Sequence, residues 1–247
     1  MNALILAAGK GTRLGELTRE SPKALVKIGD YPMLEYQLQR LKRFGFSNIV
    51  INSHHFGDKI FDYLVHRVKC GMDIKISEER DMLLDTGGGI KKAIKMFSNQ
   101  DPVLVHNVDV FSNIDLAAFH KTHCQNSNDV SLLVACRDSS RNLFFDKNSS
   151  LIGWRNSNTG QIKSIFKGFD YTRYKPVAFQ GIHTISRRVE SFLESVEESS
   201  FNIIDFYLSF ADKLNIKLVK VPLDMEWVDA GKPYALEKAQ QIIQMYY

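Results

Sequence analysis

The alternation of short apolar runs with segments of helical periodicity constrains the fold of this chain more than any other feature. In the first half, apolar runs at 3–8, 48–52, 73–77 and 102–106 alternate with helical patterns at 32–45, 58–68 and 89–97. Strands joined through helices in this way form right-handed crossovers and a parallel sheet. The sequence therefore predicts an α/β fold with a doubly wound, mostly parallel sheet.

The pattern changes after a predicted helix at 116–123 and a predicted strand at 129–135. Short candidate strands at 143–145, 151–154 and 161–165 are separated by turns rich in Asn, Ser and Gly. They predict a small antiparallel β insertion at approximately 138–180, which we expect to act as a lid. Helices at 187–195 and 203–213, a strand at 216–221 and a helix from 233 complete a single domain over 1–247.

Composition excludes several classes of protein. The chain is 44% apolar and 24% charged, as in ordinary globular proteins, and its net charge of +4 gives no reason to expect nucleic acid as a partner. No apolar run approaches the roughly 18 to 20 residues needed to cross a bilayer, so no membrane association is expected. Cys70, Cys124 and Cys136 lack the spacing of a disulfide framework or a zinc site. We therefore expect a cytoplasmic protein, of open oligomeric state.

The loop after the first predicted strand carries glycines and cations, and it reads Ala7-Ala8-Gly9-Lys10-Gly11-Thr12-Arg13. In an open α/β sheet, ligands bind beyond the carboxyl ends of the strands. Backbone N–H groups beside glycine can approach a phosphate closely, and the cations add positive charge. Leu14 stands where the Rossmann fingerprint requires glycine, and no Walker-type P-loop occurs. Taken alone, the loop fits a plain tight turn as well as a phosphate site.

A second cation extends this pattern. Lys23 follows Pro22, ten residues after Arg13. The combination G-x-G-T-R-L with P-K-x-L resembles the sugar-1-phosphate nucleotidyltransferases, which join a nucleoside triphosphate to a sugar 1-phosphate and release pyrophosphate. The resemblance implies the nucleotide-diphospho-sugar transferase type of fold, with Arg13 and Lys23 as triphosphate-binding and catalytic cations. An isolated lysine is otherwise usually solvated surface.

Two later motifs supply carboxylates. His106-Asn107-Val108-Asp109 resembles the family's V-N-G-D, and Trp227-Val228-Asp229-Ala230-Gly231 resembles its W-V-D-x-G. The resemblance implies that Asp109 and Asp229 are catalytic and hold Mg²⁺ as cofactor. Such an ion keeps several waters and bridges phosphate oxygens. Either aspartate alone also fits a helix cap or a turn.

The resemblance also assigns the two substrates to opposite parts of the chain. Its glycine-rich stretch appears at 84–90, where the nucleobase and ribose are expected against the backbone. The Glu-Lys-Pro segment whose lysine holds the sugar phosphate in longer relatives is missing, and Arg141 is our substitute for it. The expected nucleotide-binding residues are Ala7, Ala8, Gly9, Gly11, Thr12, Arg13, Lys23, Asn52, Thr86 and Gly87. The expected sugar-binding residues are Asn107, Arg141, Gln180 and Gly181.

Within the family, the chain most resembles the short N-acetylmuramate-1-phosphate uridylyltransferases of cell-wall recycling. Mannose- and heptose-1-phosphate guanylyltransferases are the alternative, so the expected triphosphate is UTP or GTP. Asn52 and Glu78, at predicted strand ends, are candidates to face the base, and Trp154 and Trp227 are expected to be packing anchors. A non-catalytic nucleotide-sugar-binding regulator and a Rossmann oxidoreductase are the hypotheses from other classes.

Overall fold

The computed structural model describes residues 1–67, 71–222 and 224–247. Its strands are β1 Asn2–Leu6, β2 Lys27–Ile28, β3 Tyr31–Pro32, β4 Asn48–Ser53, β5 Asp73–Glu78, β6 Val103–Asn107, β7 Val110–Ser112, β8 Val130–Ala135, β9 Arg141–Phe145, β10 Leu151–Asn156, β11 Ile162–Lys163, β12 Ala178–Ile185, β13 Ile216–Lys220 and β14 Trp227–Asp229. Its α-helices are α1 Met33–Arg43, α2 Gly57–Arg67, α3 Asp85–Ala93, α4 Leu116–Gln125, α5 Val189–Glu194, α6 Ile203–Ser209 and α7 Leu236–Tyr246. Short 3₁₀ segments lie at Thr12–Thr18, Lys23–Leu25, Ile94–Met96, Tyr171–Arg173 and Pro233–Ala235.

The central sheet has seven strands in the order β13-β8-β12-β6-β1-β4-β5. Strand β1 pairs in parallel with β4 and with β6, and β4–β5 and β8–β13 are also parallel. Only β12 runs against its neighbours, β6 and β8. The predicted α/β fold with a doubly wound, mostly parallel sheet is confirmed.

Both faces of the sheet are covered, which explains why β1 is apolar at successive positions. Ala3 and Ile5 point into one core and Leu4 points into the other, and all three are fully buried. Helices α1 and α7 pack on the first face, while α3, α5 and α6 pack on the second. At the carboxyl edge, β4, β5 and β6 end in the polar residues Ser53, Glu78 and Asn107.

The antiparallel insertion forms a separate sheet of β11, β10 and β9. Its side chains Leu143, Phe145 and Leu151 are buried in the second core, so the insertion packs on the body of the domain. The chain rejoins the central sheet at β12, close to the expected end of the insertion. Closure of the insertion as a lid stays a prediction.

Several predicted boundaries were wrong. The first strand ends at Leu6 rather than Ala8, and α3 begins at Asp85, so the glycine-rich stretch is itself helical. The three-residue strands β7 and β14 were not predicted. The predicted end of the second helix at Val68 and the residue Cys70 lie outside the described residues. Cys124 and Cys136 are free thiols, and no helix in the described part of the chain is long and apolar enough to cross a membrane.

Candidate active site

A cleft of about 1200 Å³ opens at the carboxyl edge of the central sheet. It lies beyond the neighbouring strands β1 and β6. The chain continues from β1 toward β4 on one side of the sheet and from β6 toward β8 on the other, and ligands bind at such a switch point. The predicted site residues that line it are Ala8, Gly9, Arg13, Lys23, Asn52, Thr86, Asn107, Asp109, Arg141 and Asp229. The predicted site residues absent from its wall are Ala7, Gly11, Thr12, Gly87, Gln180 and Gly181.

The glycine loop is held open by a side chain from the neighbouring strand. Asn52 Oδ1 accepts hydrogen bonds from the backbone N–H groups of Ala7, at 2.6 Å, and Ala8, at 3.3 Å. Within the described residues, the next three N–H groups, at 9–11, donate to no other group. Neighbouring unpaired N–H groups beside glycine are typical of an anion-binding loop. The loop therefore presents unpaired N–H donors at the carboxyl edge of the sheet.

A short chain of hydrogen bonds ties this loop to the start of α3. Asn52 Nδ2 donates to Glu79 Oε1 at 2.8 Å, and Glu79 Oε2 accepts from the Leu84 N–H at 2.9 Å. A Cβ on Gly89 would lie 2.7 Å from Asn52 Nδ2 and 2.8 Å from Glu79 Oε1, so glycine makes room for this pair. Glu79 was not predicted, whereas the proposed Glu78 pairs with Arg80 outside the cleft wall.

The other glycines of α3 are explained by packing. A Cβ on Gly87 would lie 2.3 Å from the Phe201 ring, and one on Gly88 would lie 2.1 Å from the Ser199 carbonyl oxygen. The Gly87 N–H donates to the Phe201 carbonyl at 2.8 Å, so this N–H already has a partner. Thr86, one residue earlier, lines the cleft. The glycines thus set the position of the helix start that faces the cleft.

The strands β7 and β14 bring the two aspartates together. They pair antiparallel, with Asp229 opposite Val110 and Val228 opposite Phe111. Side chains alternate along a strand, so the side chain of Asp229 is on the opposite face of β14 from the buried Val228. Asp109 directly precedes β7, and its carbonyl accepts from the Ala230 N–H at 2.8 Å. Residues separated by 120 positions therefore meet at one point.

Each aspartate has a cationic partner. Lys23 Nζ lies 2.8 Å from Asp109 Oδ2, with 14% of the lysine side chain and 6% of the aspartate side chain exposed. The more exposed pair, Arg13 with Asp229, is separated by 3.5 Å. Burial by itself would raise the pKa of Asp109, but the charge and hydrogen bond of Lys23 outweigh it and the pKa is lowered. Asp109 is therefore a carboxylate at neutral pH.

Gly231 marks the point where these groups converge. A Cβ there would lie 2.6 Å from Arg13 Nη2, 2.7 Å from Asp229 Oδ1 and 2.9 Å from Asp109 Oδ2. Two carboxylate oxygens and a guanidinium thus face one small space, which only a residue without a side chain leaves open. In the described residues, no group of three His, Cys, Asp or Glu side chains is placed to hold a metal ion.

The predicted sugar-side residues divide between the cleft wall and its support. Asn107 and Arg141 line the cleft, whereas Gln180 is fully buried and donates to the Ala178 carbonyl at 2.6 Å. Gly181 has a φ of +74°, and a Cβ there would lie 2.9 Å from Asn107 Nδ2. Gln180 and Gly181 therefore support the wall from behind.

Sequence reasoning missed several residues of the cleft wall. Arg137 follows β8, at the same edge of the sheet as the glycine loop, and the carboxyl-edge rule could have found it. Trp227 packs against the first core as predicted, but it also lines the cleft. The remaining unpredicted polar wall residues are Asp85, Asp138, Ser139, Ser140, Lys232, Tyr234 and Lys238.

Comparison with known proteins identifies similar sequences and a similar fold. Residues 2–145 match the family model described as nucleotidyl transferase. N-acetylmuramate alpha-1-phosphate uridylyltransferase from Neisseria meningitidis serogroup B is 41% identical over 122 residues, which are 49% of this chain and 52% of the relative. D-glycero-alpha-D-manno-heptose 1-phosphate guanylyltransferase from Campylobacter jejuni is 36% identical over 117 residues, which are 47% and 51% of the two chains.

The chain spans about half the length of these curated relatives. The similarity to a solved structure extends further, because HddC from Yersinia pseudotuberculosis complexed with GMP-PN aligns over 97% of this chain and 98% of its own. The TM-score is 0.72 at 22% sequence identity, which is a likeness of fold.

Proposed function

Because this chain belongs to the nucleotidyl transferase family, as its motifs predicted, we propose that it transfers a nucleoside monophosphate from a nucleoside triphosphate to a sugar 1-phosphate. One observation carries the proposal. Arg13, Lys23, Asp109 and Asp229 come from separate segments of the chain and meet around Gly231, beside a loop with unpaired N–H groups. Cations and N–H donors at one point can bring two anionic substrates together.

The proposed reaction forms a bond between a phosphate oxygen of the sugar phosphate and the α-phosphorus of the triphosphate. The bond from the α-phosphorus to the bridging oxygen breaks, and pyrophosphate leaves with the electron pair. The attacking phosphate is ionised near neutral pH, so no side chain has to remove a proton. The chain contributes positioning and positive charge, as is usual in phosphoryl transfer. The loop N–H groups, Arg13 and Lys23 are suited to the triphosphate.

The two aspartates fit a Mg²⁺ ion. Asp109 Oδ2 and Asp229 Oδ1 face the same space over Gly231, and Mg²⁺ is commonly bound through one or two carboxylates plus waters and substrate phosphates. When bound, the ion would neutralise phosphate charge and orient the reacting oxygens. Asp109 is held ionised for this role by Lys23.

For the substrates we propose N-acetylmuramate 1-phosphate and UTP. The support is the 41% identity to an N-acetylmuramate alpha-1-phosphate uridylyltransferase, in an alignment that covers 49% of this chain. A heptose- or mannose-1-phosphate guanylyltransferase is the second candidate, favoured by the relative at 36% identity. A regulator that binds nucleotide sugars without turnover has no need of all four charged groups.

The test measures pyrophosphate release with Mg²⁺ for UTP, GTP, CTP, ATP and dTTP, each against N-acetylmuramate, mannose, heptose and glucose 1-phosphates. We expect one strong pair of substrates, with UTP and N-acetylmuramate 1-phosphate first. A grid without turnover would overturn the proposed function. A GTP-dependent pair would overturn the specificity and leave the reaction class intact.

Two variants test the residues. Asp109→Asn and Lys23→Ala should each lower kcat by at least about 10²-fold, the usual scale for loss of a preorganised charge at the reacting phosphorus. Asp129→Asn is the matched control, since Asp129 is equally buried, with 6% of its side chain exposed, and pairs with Arg188 at 3.0 Å away from the cleft. Equal losses in Asp109→Asn and in the control would contradict the assignment.

A further inference from the structure

Arg137 is a cation of the cleft wall. Among the described residues, no ion pair involves it. Its hydrogen bonds go to neutral oxygens: Nε to Gln180 Oε1 at 3.4 Å, Nη1 to the Asp138 carbonyl at 3.1 Å, and Nη2 to the Phe179 carbonyl at 3.4 Å. The positive charge is therefore available to a ligand.

The guanidinium is also fixed in orientation. Its central carbon lies 4.2 Å from the centroid of the Trp227 ring, and the indole Nε1–H donates to the Gln180 carbonyl at 3.0 Å. A guanidinium has five N–H donors. Its contacts occupy three of them, which leaves one on each terminal nitrogen. Free N–H groups on both terminal nitrogens of a planar guanidinium can bind a phosphate through two oxygens.

The position of Arg137 in the sheet separates it from the triphosphate loop. Strand β8 lies three strands away from β1 in the central sheet. At about 4.8 Å between neighbouring strands, the two strand ends are about 14 Å apart. The strand β6, whose end leads to Asp109, lies between them. An anion held by Arg137 is therefore on the far side of the aspartates from the glycine loop.

Arg137 is nevertheless close to the reacting centre. Arg137 stacks on Trp227, which precedes Asp229 by two residues on β14. Two residues of a strand span about 7 Å along the backbone. Burial lowers the pKa of the Arg137 guanidinium, and the charge of Asp229 opposes that effect. Arg137 therefore stacks on the strand that carries Asp229.

We infer that Arg137 holds the phosphate of the sugar 1-phosphate and aims it at the α-phosphorus, with Trp227 and Gln180 as positioning residues. This inference rests on the proposed function, and it gives Arg137 the role that the sequence had suggested for Arg141. Arg141 lines the same cleft, but it is an exposed side chain without a described side-chain contact. Its orientation is not fixed in the way that stacking fixes Arg137.

The test compares the KM values of the two substrates in Arg137→Ala. The KM for the sugar 1-phosphate should rise at least tenfold, while the KM for the triphosphate stays within twofold of wild type. Arg137→Lys should recover less than half of this loss, because an ammonium cannot offer two parallel N–H groups. Equal rises in both KM values, or a larger rise for the sugar phosphate in Arg141→Ala, would overturn the inference.

The chain contains a matched control. The guanidinium of Arg155 lies 4.2 Å from the centroid of the Tyr171 ring, the same cation–π distance, but this residue is not on the cleft wall. Arg155→Ala should leave both KM values within twofold of wild type. A tenfold rise of either KM value in Arg155→Ala would mean that removing a stacked arginine changes KM by disturbing the fold.

A second measurement separates failure of this inference from failure of the proposed function. Calorimetry with N-acetylmuramate, mannose, heptose and glucose 1-phosphates needs no turnover. Wild type should bind at least one of them tenfold more tightly than Arg137→Ala, even if the grid of pyrophosphate release is blank. Equal affinity, or no binding by either protein, would overturn the role of Arg137.

Discussion

Gly231→Ala should abolish most activity at a small cost in stability. To reach an ordinary contact distance of 3.4 Å from the new methyl group, Arg13 Nη2 must move by about 0.8 Å, Asp229 Oδ1 by about 0.7 Å and Asp109 Oδ2 by about 0.5 Å. These atoms are the ends of side chains, which yield at a lower cost than backbone. The cost is strain in the 2.8 Å bond from the Gly231 N–H to Asp229 Oδ1 and in the buried Lys23–Asp109 pair. The same atoms are the charged groups proposed to meet the phosphates.

The magnitude follows from the geometry. A displacement of a catalytic group by about 1 Å lowers the rate on the order of 10²-fold, which corresponds to about 2.7 kcal/mol of activation free energy. The backbone of Gly231 lies outside the left-handed region, so alanine adds no conformational strain there. Replacing glycine by alanine at such a position typically raises the free energy of unfolding by about 0.4 to 1 kcal/mol, because the unfolded chain loses conformational freedom. We expect at least a 10²-fold loss of kcat, with a Tm loss smaller than that of a clash with backbone because the effect on the unfolded state offsets part of the cost.

Gly88→Ala is the contrasting variant. A Cβ there would lie 2.1 Å from a backbone oxygen, that of Ser199, which cannot swing aside as a side chain does. Overpacking of this kind costs about 1 to 3 kcal/mol, or several degrees in Tm for a chain of this size. Thermal denaturation and pyrophosphate release, measured on both variants, give the test. A Tm loss in Gly231→Ala as large as that in Gly88→Ala, or near-normal turnover, would refute the reasoning.

Two buried polar side chains give further tests. Asn52→Ala removes the acceptor for the Ala7 and Ala8 N–H groups and leaves Glu79 Oε1 without a donor. The KM for the triphosphate should therefore rise at least about tenfold in steady-state kinetics. An equal rise of the KM for the sugar phosphate would contradict this role. Burial lowers the pKa of His183 from 6.5 to about 3. The unfolded chain therefore binds a proton that the folded chain does not, and stability is lost as pH falls below about 6.5. His183→Leu should show a smaller fall in Tm between about pH 7 and 4.5, and an unchanged dependence would refute this account.

Much of the site was predictable because its residues end strands or belong to dense local patterns. Strand β1 is a continuous apolar run, and the residues after such a run must leave the core, so the glycine loop with Arg13 could be placed from sequence. Asp109 follows the strand β6 for the same reason. What could not be predicted is the pairing of β7 with β14, since strands of three residues have no measurable periodicity and their partners are far apart in the chain.

The function of single polar residues was harder to predict than their location. Asn52, a candidate to face the nucleobase, lines the cleft, and the sequence did not indicate that its carboxamide oxygen supports the loop while its nitrogen reaches Glu79. Both are contacts across strands, which depend on register rather than on local sequence. Gln180 was expected to touch the sugar, but the shift in the pairing of β12 with β8 between Phe179 and His183 accompanies its burial behind Arg137.

The order of charges across the cleft argues for catalysis rather than simple binding. Arg13 and Lys23 lie toward the glycine loop, Arg137 lies toward β8, and the carboxylates of Asp109 and Asp229 stand between them. The two carboxylates pair with Lys23 and Arg13, and so they offset the positive charge that a simple anion site would need. A protein selected only to hold an anionic ligand gains nothing from that placement. It becomes favourable when two phosphates must be brought together and a divalent cation between them offsets the repulsion.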